Sequence, residues 1–149
     1  MSLLIWNDSY SVENDLIDSQ HKILFEIFNT LHDKCCRSEV DSFYDSILQL
    51  QSYTRYHFRA EEQYMAQINY KKIIMHKLEH RYFENRVDEL TQKKNERSVD
   101  LLRLLITFLS NWLLQHVVGE DRKIPPPPGS RQVRPSDSGP PRETPQLSP

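Results

Sequence analysis

The chain has 149 residues and a mass of 17.8 kDa, room for one domain with a sizeable core. Nineteen Lys and Arg stand against 21 Asp and Glu, a formal net charge of −2, so the basic face that nucleic acid or an anionic membrane requires is missing. All nine prolines lie at or beyond Pro125, all fifteen aromatics precede it, and Gly119 alone of the three glycines comes before it. Hairpins and sandwiches need glycine-rich turns, so residues 1–124 are predicted to be an all-α body.

In chain order, residues 1–16 read as an N-terminal arm anchored by Trp6 and Tyr10. Four segments then carry apolar steps of three and four. The first is Ile17, His21, Leu24, Phe28, Leu31 and Cys35. The second is Phe43, Ile47, Leu50, Thr54, His57, Glu61 and Tyr64. The third is Ile73, His76, His80, Phe83, Val87 and Leu90, and the fourth is Leu102, Leu105, Leu109, Trp112 with Leu113, and His116. Polar breaks with capping chemistry separate them at Ser38, at Asn69 and at 93–98. Short connections force antiparallel neighbours, which predicts an up-down-up-down four-helix bundle.

Cys35 and Cys36 are adjacent and build no ordinary disulfide framework, in keeping with a reducing compartment. They read as boundary packing. The N-terminus lacks a basic region ahead of an apolar run, so no signal peptide is read there. The most apolar stretch, Leu101–Val118, is interrupted by Arg103, Ser110, Asn111, Gln115 and His116 and reads as a buried core helix rather than a bilayer span. The expectation is a soluble cytoplasmic protein with no membrane or nucleic-acid partner. Residues 125–149 have Val133 and Leu147 as their hydrophobics and read as a disordered proline-rich tail. Its Pro125–Pro128 run leaves an unidentified protein partner open, although a plain spacer is the simpler reading.

Buried charge and unpaired imidazole are costly, yet His21, His57, Glu61, His76, His80 and His116 all fall on the seams that should face the core. His32, beside the seam residue Leu31, reads as an ordinary boundary histidine. His21 and His57 are 36 residues apart, as are His80 and His116, which centres two hairpins near residues 39 and 98. Glu61 and His76 are 15 apart, centring near Asn69. One polar layer therefore lies at one level near one end of the bundle. His57–Glu61 and His76–His80 are i, i+4 pairs on one helical face. Asp121 follows His116 by five residues, about 140° around an α-helix, and Gly119 offers a helix end or distortion that turns it back. Five imidazoles and two carboxylates exceed one tetrahedral zinc and suit two first-row metal ions bridged by carboxylates. The His-x-x-x-Glu and His-x-x-x-His spacings differ from the Glu-x-x-His of carboxylate-rich di-iron bundles.

The stretches Ile17-Asp18-Ser19-Gln20-His21-Lys22, His57-Phe58-Arg59-Ala60-Glu61-Glu62-Gln63-Tyr64-Met65, His76-Lys77-Leu78-Glu79-His80 and Trp112-Leu113-Leu114-Gln115-His116 through Asp121 resemble the hemerythrins. The resemblance is to the single-domain bacterial members and covers residues 3–124. It implies one iron held by His76, His80 and His116, a second held by His21 and His57, and Glu61 and Asp121 bridging them with an oxo or hydroxo group. It further implies reversible dioxygen binding at the open position of the second iron, with no catalytic residue. An oxygen- or redox-sensing module is the alternative, and a di-iron peroxidase or nitric-oxide-handling enzyme ranks below it. Leu24, Leu113 and Val117 are candidate walls of the dioxygen pocket, with Trp112 beside it. Two positions depart from the family: Ile124 stands where a tyrosine is common, and Gly119 precedes the bridging aspartate. Glu62 and Glu79 match the motifs as residues outside the ligand set.

Overall fold

A computed structural model describes residues 3–92 and 98–129. Four helices, α1 (Asp15–Cys36), α2 (Val40–Gln67), α3 (Ile73–Gln92) and α4 (Val99–Leu113), form the bundle, and α4 runs on into a π-helical turn, Leu114–Glu120, and a 3₁₀ turn, Asp121–Lys123. No strand occurs among the described residues. The helices pack α1 on α2, α2 on α3, and α4 against α1 and α3, each antiparallel to its chain neighbour as short loops require. Every seam residue is buried except Tyr64, Ile73 and Trp112, which are half-buried. Phe28, Leu31, Phe43, Ile47, Leu50, Leu102 and Leu105 fill the end of the core remote from the polar layer.

The helix ends use different chemistry at different places. Asn14 caps α1, its Oδ1 accepting from the Ile17 amide at 3.4 Å, and Ser98 caps α4 through the Leu101 amide at 3.2 Å. Ser38 and Asn69 do not cap the helices that follow them. Both adopt the left-handed region, φ 56° and 53°, and close the helices before them. The Ser38 and Glu39 amides donate to the carbonyls of Cys35 and Lys34, and the Asn69 and Tyr70 amides to those of Ala66 and Met65. This paired 5→2 and 6→1 pattern is the common glycine-dependent helix stop, built here by serine and asparagine because the loops contain no glycine.

The arm holds its expected anchors against α1. The Trp6 and Tyr10 rings lie 5.9 and 6.1 Å from Phe25, while Leu4 and Val12 are buried, the Leu4 backbone exchanging two hydrogen bonds with the Asn29 amide. The segment Val99–Lys123 is long and apolar enough to cross a membrane, but Leu102, Leu105, Ile106, Leu109, Leu113 and Val117 bury its apolar face in the bundle. The first tail residues are described as far as Gly129, and Pro125 accepts a hydrogen bond from the Tyr64 hydroxyl at 2.6 Å. The expectation of disorder over residues 130–149 lies outside the described residues, as does the break at 93–97.

Candidate metal centre

The polar layer forms next to the α2–α3 turn. His21 comes from α1, His57 and Glu61 from α2, His76 and His80 from α3, His116 from the π turn, and Asp121 from the 3₁₀ turn; each is at most 4% exposed. Asp121 reaches the layer because of the π turn. With i→i+5 bonding, five residues make up roughly one turn, so His116 and Asp121 share a face that an α-helix would deny them. The distortion starts at Leu114, five residues ahead of Gly119. A Cβ built on Gly119 meets nothing within 4 Å, so the glycine is not what forces the turn. Gly119→Ala is expected to leave metal stoichiometry unchanged and to alter unfolding free energy by less than about 1 kcal/mol, as read by thermal melts and metal analysis.

The two carboxylates divide their oxygens between two groups of imidazoles. Glu61 Oε1 lies 3.2 Å from His21 Nε2 and 2.5 Å from His57 Nε2, while Glu61 Oε2 lies 3.3 Å from both His76 Nε2 and His80 Nε2. Asp121 repeats the division: Oδ2 is 3.0 Å from His21 Nε2, and Oδ1 is 2.9 Å from His76 Nε2 and 3.0 Å from His116 Nε2. His80 Nε2 and His116 Nε2 face each other at 3.0 Å. The result is a five-residue group, Glu61, His76, His80, His116 and Asp121, and a four-residue group, His21, His57, Glu61 and Asp121. Both Asp121 oxygens and His57 Nε2 are buried without a properly directed hydrogen bond. Their lone pairs converge on the space between the groups. Donor separations near 3 Å are what neighbouring ligands on one ion have when each bond is about 2.1 Å.

The outer ring nitrogens are held from behind. His57 Nδ1 donates to Gln20 Oε1 at 2.6 Å, His80 Nδ1 to Glu62 Oε2 at 3.0 Å, and His116 Nδ1 to Glu79 Oε2 at 2.8 Å. A donor at Nδ1 leaves Nε2 with its lone pair turned inward, the tautomer a metal ligand needs. The Phe58 ring stacks on His80 at 4.0 Å and 8°, and Trp112 stacks on His116 at 4.3 Å and 13°. Without metal, protons take the place of cations. Burial alone would lower the His21, His76 and His116 rings, but Asp121 and Glu61 outweigh it and raise them to about 9, 10 and 9. At His57 burial wins over the attraction of Glu61, and the ring is lowered. Burial works against ionisation of Glu61 and Asp121, yet the surrounding histidines hold both carboxyls well below their usual range.

Residues 12–126 match the family model described as the hemerythrin HHE cation binding domain. The chain belongs to the hemerythrin family. It is 32% identical over 126 residues to a bacteriohemerythrin of Clostridium acetobutylicum, covering 81% of this chain and 98% of that protein. It is 34% identical to a bacteriohemerythrin of Stenotrophomonas maltophilia over 82% of this chain and 79% of that protein, and 29% identical to a myohemerythrin of Riftia pachyptila over 80% and 88%. The crystal structure of a wild-type hemerythrin superposes with a TM-score of 0.72 at 25% identity, over 82% of this chain and 95% of that one.

In this hemerythrin the expected ligand set converges in full, whereas the four candidate pocket residues are spread differently. Leu24, Leu113 and Val117 are buried in the apolar core, and half-buried Trp112 lies against His116 on the three-histidine side. The cavity that reaches Glu61 and Asp121 is small, about 10 Å³, and is lined instead by Val12, Asn14, Ile17, Tyr64, Ile124 and Pro125. Ile124, the departure from the family pattern, is a buried wall of that cavity. His32 sits outside the site, its ring 6.2 Å from Phe28. Sequence reasoning missed the role of Gln20, because nothing in a glutamine one residue before a seam histidine says that it reaches across to α2. Gln20→Ala removes the acceptor for His57 Nδ1 and is expected to weaken metal binding about 10- to 100-fold, measured by competition with a chelator.

Proposed function

We propose that this hemerythrin holds two iron ions and binds dioxygen reversibly, as a store, carrier or buffer of oxygen. The observation that carries the reading is the division of each carboxylate between two imidazole groups, with one oxygen of Glu61 and one of Asp121 turned to each side. His76, His80 and His116 would hold one ion, His21 and His57 the other, and Glu61 and Asp121 would bridge them. The donor set fits: two carboxylates and five neutral imidazoles suit a pair of first-row ions, and the outer partners already point Nε2 inward. The unequal groups leave the ion at His21 and His57 with fewer protein ligands, which is the place for an exogenous one. When bound, iron supplies the electrons that hold dioxygen.

The protein supplies orientation and dryness. Phe58 and Trp112 fix the His80 and His116 rings by stacking. Leu24, Leu113 and Val117, each at most 1% exposed, keep bulk water from the layer, and the small Val12–Ile17–Ile124 cavity borders Glu61 and Asp121 from the outside. A water-excluded site favours release of dioxygen over its reduction. Residues 1–124 would be the iron-binding unit, with the proline-rich segment a spacer beyond it. The direct check is anaerobic loading with ferrous iron followed by metal analysis: two ions per chain are expected in the native protein. His57→Ala is expected to keep the ion at the three-histidine group while losing oxygen binding, and equal loss of both ions would contradict the division.

A further inference from the structure

Helix α3 carries two seams. One is the buried run His76, His80, Phe83, Val87 and Leu90. The other faces outward at steps of three and four, Met75, Leu78, Tyr82, Asn85 and Glu89, with Lys71 one step ahead in the turn that enters the helix; all are exposed. Such alternation is the pattern of a helix that packs along a second helix. Met75, Leu78 and Tyr82 are 65%, 56% and 57% exposed, and Ile74, flanking the seam, is 72% exposed. The patch continues onto α4, where the Phe108 ring lies 5.9 Å from Tyr82. A run of exposed apolar side chains on one helix face marks an interaction site.

We infer that this seam binds the same seam of a second copy, antiparallel, about a two-fold axis at the level of His80. An isologous contact requires a surface complementary to itself under that rotation, and this one is. Antiparallel pairing centred on residue 80 sets Leu78 against Tyr82 of the other copy and Met75 against Asn85, and it sets Lys71 against Glu89. The cation and the anion at the two ends of the seam are therefore each other's partners, twice over. Glu89, at present 3.1 Å from Arg86 of its own helix, is 65% exposed on its side chain and free to turn outward. A parallel pairing would instead stack Lys71 on Lys71 and Glu89 on Glu89, which opposes it. One helix pair with its flanks is a small interface, so the dimer is in reversible equilibrium with monomer.

Sedimentation equilibrium of the full chain across a wide concentration range tests this. The native chain is expected to pass from 17.8 kDa to twice that mass as concentration rises. Leu78→Glu is expected to stay monomeric throughout. Lys71→Glu is expected to weaken the dimer about tenfold by setting like charges together, and adding Glu89→Lys to it is expected to restore the constant to within about threefold. Lys71 and Glu89 are exposed, so circular dichroism should show both charge variants fully helical and the rescue remains readable even if Leu78→Glu does not fold. A native chain that stays at 17.8 kDa, a dimer that survives a folded Leu78→Glu, or a double variant that is no tighter than Lys71→Glu would each overturn the inference.

Discussion

Glu61→Gln is expected to reduce bound iron from two ions per chain to one or none, with affinity falling more than about 100-fold. Glu61 is the one carboxylate supplied from within the bundle's regular helices, and its two oxygens touch four imidazoles, two on each side. Glutamine keeps the size and one oxygen, but it replaces the other with a donor and removes the charge that offsets two cations. A neutral, one-sided bridge leaves an amide N–H aimed at a cation, a loss greater than that of an outer hydrogen-bond partner. Metal analysis after loading and desalting reads the result directly. Unchanged stoichiometry and affinity would show that Glu61 does not bridge.

Protons and metal are expected to drive stability in opposite directions with pH. In the metal-free protein His21, His76 and His116 are raised from 6.5 to about 9, 10 and 9. The folded state therefore holds these protons more tightly than the unfolded chain. Their contribution is fully present below pH 6.5 and is lost as pH rises through 9 to 10. Glu61 and Asp121 are depressed, so their contribution is present above the ordinary values of 4.5 and 3.8 and is lost in acid. His57 is lowered and works the other way, so its contribution is lost as pH falls below 6.5, and the metal-free chain should melt highest near pH 6.5 and steadily lower toward pH 10. Metal must displace the three imidazole protons, so loading at pH 7 should release about three protons per chain from these rings. The combined affinity for both ions should then rise about 1000-fold per pH unit between pH 7 and 8.5. Melting curves with chelator and with metal, taken across pH 5–10, should slope in opposite senses over the alkaline half. Parallel slopes would contradict the exchange.

Periodicity made six of the seven converging residues legible, because His21, His57, Glu61, His76, His80 and His116 interrupt apolar seams at one level. Asp121 was a different problem. Its distance from His116 is wrong for an α-helix, and only the π turn at Leu114–Glu120 corrects it. Gly119 drew attention as the source of the bend, but the bend begins earlier, and no local composition rule marks it. Gln20 and Phe58 escaped for a shared reason. Each acts on a histidine of another helix, 37 and 22 residues away, so its role exists only once the helices are packed. Ser38 and Asn69 were legible as breaks yet not as stops for the preceding helix, since a polar residue between helices serves either end. Trp112 was legible as a neighbour of the site, but its side was not: stacking on His116 sets it with the three-histidine group.

Reversible dioxygen binding at a di-iron pair is decided by a single titration. Protein loaded anaerobically with two ferrous ions is exposed to measured dioxygen, and its visible spectrum is followed, then followed again as dioxygen is swept out. An absorption band that grows to one dioxygen per chain and disappears on deoxygenation, over repeated cycles, is the predicted result. A spectrum that moves once and irreversibly to that of ferric protein, with no recovery on removing dioxygen, would contradict it.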